Sequence, residues 1–104
     1  MIRAEFRKDG DRLSGFTISG HSGFADAGKD IVCAAVSSAS QLVCNTITDH
    51  YMDKADVEVG DNILSLRLRE ASDASFVLIG SLYEHIVLIS EDYPDTISVT
   101  IKRR

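Results

Sequence analysis

The chain is poor in cysteine: Cys33 and Cys44 stand alone among 104 residues, and they form neither a C-x-x-C pair nor a zinc-ligand pattern. On one helix they would lie eleven residues apart, roughly 16 Å along the axis. A disulfide requires Cα atoms within about 7 Å, so a bridge between them is excluded, whereas a reactive thiol is not. Positive charge is also scarce, with 11 Lys and Arg against 16 Asp and Glu and a net charge of −5. That balance favours neither non-specific nucleic-acid binding nor an anionic membrane, and it suits a basic partner. The one basic cluster, Lys102-Arg103-Arg104, reads as a solvated terminus. No stretch approaches the roughly 18 to 20 apolar residues expected of a membrane span. The opening Met1-Ile2-Arg3-Ala4-Glu5-Phe6 alternates and carries a glutamate, unlike a signal peptide, so a cytoplasmic location is expected. Low-complexity tracts are absent, and no repeat exceeds an approximate ββα echo.

What is present is ordinary for one soluble domain spanning 1–104, with 44% hydrophobic and 26% charged residues. Ile2 to Arg7 alternates apolar and charged residues, the period of a half-buried strand. Asp9-Gly10 is a hairpin-turn signal, and Leu13 to Ser19 resumes as a second strand with Phe16 and Ile18 inward. Gly20 to Lys29 is glycine-rich and aperiodic, a loop longer than most connections. Asp30 to His50 reads as a helix capped by Asp30, apolar or small nearly all round, and therefore central and packed on more than one side.

Ala55 to Val59 and Ile63 to Arg69 flank Gly60-Asp61-Asn62 as a second hairpin, with Leu64, Leu66 and Leu68 on one face. Asp73 to Asp92 is a second helix, capped by Asp73, with Phe76, Ile79, Leu82, Tyr83 and Ile86 recurring at three and four, and Pro94 stops it. Thr96 to Lys102 closes as a strand. The expected fold is α+β: a two-layer β-β-α-β-β-α-β arrangement, its sheet largely antiparallel, with two helices on one face.

Chemistry concentrates at the loop-to-helix junction. A cysteine attacks as its thiolate, which a helix N-terminus and a nearby imidazolium both favour. Cys33 falls in the first turn of the expected helix, where unpaired N–H groups would also hold an oxyanion. His21, on a glycine-flanked loop, is the candidate to take the thiol proton and return it to a leaving amine. Asp30 reads both as helix cap and as a carboxylate orienting His21. Each residue also has a plain structural reading: Cys33 and Cys44 as buried hydrophobes, His21 as a loop residue, His50 and His85 as solvated or core-edge side chains. Gly20-His21-Ser22-Gly23 lacks the last glycine of a nucleophile elbow, and no Gly-Lys-Ser/Thr makes a phosphate loop.

Taken together, Gly20-His21 followed by Gly28-x-Asp30-Ile31-Val32-Cys33-Ala34-Ala35-Val36-Ser37 resembles the signature of the Prp (YsxB-like) family of ribosomal-processing cysteine proteases, including the twelve-residue step from His21 to Cys33. The resemblance covers the whole chain. It implies an endopeptidase that removes the N-terminal extension of a large-subunit ribosomal protein beside an aromatic residue. It further implies a homodimer needing no cofactor; no metal is expected from the absent ligand pattern, and no direct nucleic-acid or membrane binding from the charge. Cys33 would be the nucleophile, His21 the general base and acid, and Asp30 the supporting carboxylate. Gly20, Ser22, Gly23, Phe24 and Gly28 would belong to a loop that closes over substrate, with Ser22 and Phe24 bearing on substrate fit. The alternatives are a non-catalytic ribosome-assembly protein that holds a peptide in the same groove, and a thiol hydrolase of a small substrate.

Overall fold

A computed structural model describes residues 1–20 and 31–103. His21 to Asp30, and with them the expected loop and cap, lie outside the described residues, as does Arg104. The alternating segments form two hairpins. β1 (Ile2–Asp9) and β2 (Arg12–Ser19) pair antiparallel across Gly10-Asp11. Gly10 has φ +61°, a conformation that costs glycine no Cβ clash. β3 (Lys54–Gly60) and β4 (Ile63–Glu70) pair likewise, with Asn62 at φ +61° in the turn. β5 (Ile97–Arg103) runs parallel to β1, and the sheet order is β3-β4-β2-β1-β5.

Two helices connect these strands. α1 (Ile31–Asn45) continues through a π-helical turn, Thr46–His50, and α2 is Asp73–Asp92. The pairing makes β2 and β3 parallel, with α1 crossing over β4 between them. β4 and β5 are parallel too, with α2 crossing over β2 and β1. Parallel strands need such crossovers, and here both leave their helices on the same side of the sheet.

Strand register sets the core. Phe6, Phe16 and Leu66 face one another in one row, and Ala4, Ile18 and Leu64 in the next. Onto these pack Val32 and Val36 of α1 and Ile79, Leu82 and Ile86 of α2. Tyr83 meets Phe6 edge to face, with ring centroids 5.2 Å apart. Burying an apolar side chain of this size stabilises by about 1.5–3 kcal/mol, which is why the alternation reads so directly into the sheet. The opposite face carries the polar positions, and no helix among the described residues covers it.

Three expectations are corrected. α1 is not enclosed: Ala34, Ala35, Ser38 and Leu42 are exposed, and only its Val32-Val36-Ser40-Val43-Cys44 side is buried. Small residues permit close packing without compelling it. Ser72, not Asp73, is the residue before α2; Asp73 begins the helix and pairs with Arg12 at 2.7 Å. Finally, Ile31–His50 and Asp73–Asp92 are each 20 residues with mean hydropathy 1.4 and 1.3, long and apolar enough to cross a membrane by length and composition alone. The expectation that no stretch approaches a span overlooked how far Ala, Val and Ile raise an average across interspersed polar residues. In this fold one side of each helix packs on the sheet.

Candidate active site

Gly20 marks where the chain leaves β2, immediately before His21. Its N–H donates to the carbonyl of Asn62 at 3.0 Å, tying the strand end to the β3–β4 turn. Its φ is +86°, and a Cβ there would stand 2.7 Å from the Met1 carbonyl oxygen. Glycine is thus required twice over, for backbone conformation and for space.

Cys33 is the third residue of α1 and sits half-buried in its first turn. Val32 and Val36 on either side of it are sunk in the core, which fixes the rotation of the helix about its axis. A cleft of about 520 Å³ separates α1 from the β3–β4 hairpin, and both Gly20 and Cys33 line it. From Cys33 the helix wall continues through Ser37, Gln41 and Asn45. These are four residues apart and so share one face. The facing wall is apolar, built from Val57, Val59 and Leu64, and Ile2 and Ile18 lie deeper. A cleft with one hydrogen-bonding wall and one apolar wall suits an extended peptide, whose backbone is polar and whose side chains alternate. Its volume is in the usual range for a binding site, about 300–1,000 Å³.

Cys44 reaches the same cleft from the buried side of α1, at 5% exposure. Burial pushes its thiol up to about 11, so it stays protonated at neutral pH. His50 and His85 are exposed and neither lines the cleft. Among the three histidines, only His21 is joined in sequence to a cleft residue, Gly20. His21, Ser22, Gly23, Phe24, Gly28 and Asp30 lie outside the described residues, so of the expected site the structure places Gly20 and Cys33 together at the cleft. Ser37, Gln41, Asn45, Val57 and Val59 were not singled out from sequence as site residues. The four-residue step from Cys33 is the signal for the first three. For the valines, only strand order reveals that β3 is an edge with its inner side open.

The family model described as cysteine protease Prp matches residues 1–98. No curated protein sequence matches the chain. Among solved structures, the ribosomal processing protease Prp from S. aureus with a covalently linked product peptide is 22% identical with TM-score 0.90, covering 98% of this chain and 100% of that one. The same S. aureus protease with a substrate peptide is 21% identical with TM-score 0.85 and the same coverage. SMU.848 from Streptococcus mutans is 23% identical with TM-score 0.84, covering 100% of this chain and 96% of that one. At these identities the likeness is one of fold.

Proposed function

The chain belongs to the Prp family of cysteine proteases, and on that premise we propose that it removes the N-terminal extension of a large-subunit ribosomal protein during ribosome maturation. The observation that carries the reading is Cys33 in the first helical turn, at the end of a peptide-sized cleft, while the other cysteine is buried and protonated. The fold shared with a ribosomal processing protease that holds substrate and product peptides supports it. The chain's excess of negative charge complements a basic ribosomal substrate.

The chemistry is acyl transfer. His21 accepts the Cys33 thiol proton, and the thiolate sulfur attacks the scissile carbonyl carbon. Negative charge moves to the carbonyl oxygen, which backbone N–H groups of the first α1 turn stabilise. The tetrahedral intermediate collapses as the C–N bond breaks, and His21 returns the proton to the leaving amine. The thioester is then hydrolysed: His21 takes a proton from water, hydroxide adds to the carbonyl carbon, and the C–S bond breaks to release the acid. Asp30 supports His21 in its charged form. The loop bearing Ser22, Gly23, Phe24 and Gly28 closes over the peptide, with Gly20 as its fixed root. No step calls on a metal or cofactor. In this proposal the protease is a cytoplasmic homodimer, and exposed Leu42 and Leu88 on the helices provide apolar surface for a second copy.

The test is processing of the extended ribosomal protein, followed by gel and mass spectrometry. Cys33→Ala and His21→Ala are each expected to slow cleavage by about a thousandfold or more. Wild-type processing by Cys33→Ala would sink the assignment. Light scattering of the purified chain decides the dimer.

A further inference from the structure

The uncovered face of the sheet is charged unevenly. Of the described cations, Arg12, Arg69, Lys54 and Lys102 pair with Asp73, Asp56, Glu70 and Glu5. Arg7, Arg67 and Arg103 have no ion-pair partner among the described residues, although acids outnumber bases in the chain. These three line one concavity of about 340 Å³, together with Lys102, whose ammonium lies 3.7 Å from Glu5.

Strand register explains the concavity. Lys102 is the partner of Arg7, Arg7 of Gly15, and Gly15 of Arg67. Gly15 therefore lies between two arginines, and no side chain fills the space. A Cβ at Gly15 would stand 2.6 Å from the Leu66 carbonyl oxygen, so the gap is enforced by backbone packing. The row from Lys102 to Arg67 crosses three strand spacings, about 14 Å. That is longer than one phosphate needs and reaches across about three successive phosphates of an extended single strand. Thr17 and Ser65, 3.1 Å apart, add hydroxyls beside the row.

We propose that this cationic trough on the open face of the sheet binds the phosphate backbone of single-stranded RNA. Guanidinium groups pair with phosphate oxygens through forked N–H donors. Among the described residues, the one aromatic that lines the trough, Phe16, has its side chain in the core, so these residues offer bases no stacking platform and binding is independent of sequence. Glu5 also lines the trough, one carboxylate against four cations, and the whole-chain charge of −5 conceals this excess because the other acids are carried elsewhere. The trough lies on the face of the sheet opposite the cleft, so RNA and peptide are held at once. The inference stands on charge and register and does not depend on which peptide is cleaved.

Fluorescence anisotropy of a labelled oligouridylate of about 12 nucleotides tests it. Wild-type protein is expected to bind with a log–log salt slope of about −2 to −3, from three to four phosphate contacts at about −0.7 each. Arg7→Gln/Arg67→Gln should weaken binding about tenfold or more at low salt and flatten that slope, with peptide cleavage unchanged. Lys102→Gln/Arg103→Gln, at exposed positions, should weaken it severalfold and keeps the test decisive if the first variant folds poorly. Lys54→Gln, outside the trough, should leave it intact. Absence of salt-sensitive binding, binding indifferent to the arginine changes, or equal competition by an oligoglutamate of the same length would overturn the proposal.

Discussion

Cys33 and Cys44 belong to one helix and line one cleft, yet chemistry separates them. Cys44 is held protonated by burial, with its thiol pushed up to about 11. Cys33 stands half-buried at the helix start, where α1 opens to the cleft. With limiting iodoacetamide at pH 7, peptide mapping of native protein should find Cys33 modified and Cys44 intact until denaturant is added. Equal modification of both would remove the reason for assigning Cys33. Gly20 is the other residue whose identity is dictated by its surroundings. Gly20→Ala forces a side chain into left-handed backbone and against the Met1 carbonyl. It should destabilise the fold by about 1–3 kcal/mol in urea titration and lower cleavage, because the chain then leaves β2 displaced just before His21.

At the scale of elements, helix α2 is held by a residue from outside it. The Asp53 carboxylate accepts hydrogen bonds from the Ser72 N–H and from the Ser72 and Ser75 hydroxyls. It thus takes the place of a cap that Ser72 does not make with its own side chain. The Ser75 hydroxyl first, then the Ser72 backbone and hydroxyl, lower the Asp53 pKa below its ordinary 3.8. A carboxyl group depressed by folding contributes stability that is present above the unfolded value and lost as pH falls through the folded one. Asp53→Ala should therefore lower the Tm at neutral pH, and the gap to wild type should close on acidification below pH 3.8. A gap that persists unchanged in acid would mean the effect is packing rather than charge. Little in the sequence announced this clamp. The partners lie nineteen and twenty-two residues apart, and only the path through the π-helical turn into β3 brings Asp53 to the start of α2.

Among the described residues the fold is a sheet with helices on one face only, and those helices do not reach the β3 edge. Val59 is 75% exposed although its strand partner Leu64 is partly buried. An apolar residue so exposed contributes little to the folded state of the single chain, so its value lies in what docks against it. Val59→Asp should leave unfolding free energy within about 0.5 kcal/mol of wild type. It should also reduce kcat/KM for the extended substrate about tenfold, read in a progress-curve assay. Unaltered cleavage would show that the peptide does not use the valine wall.

The element order, both hairpins, both helices and most of the core were determined by sequence alone, because period-2 and period-3.6 patterns report burial locally. Phe16, Ile18, Leu66, Ile79 and Ile86 needed no tertiary information to be placed inside. The G-H…G-x-D-I-V-C-A-A block pointed to the family by its resemblance to a known signature, and the family model matches residues 1–98. Tertiary structure decided what depends on the order of strands. β5 joins β1 in parallel at one edge, β3 is left as the other, and α1 stands away from the β3–β4 hairpin with one flank exposed. The cleft is therefore a property of how far a helix sits from a sheet, which no local pattern encodes. The same holds for the trough: its arginines come from β1 and β4, and only the strand between them, with glycine at the meeting point, makes them neighbours.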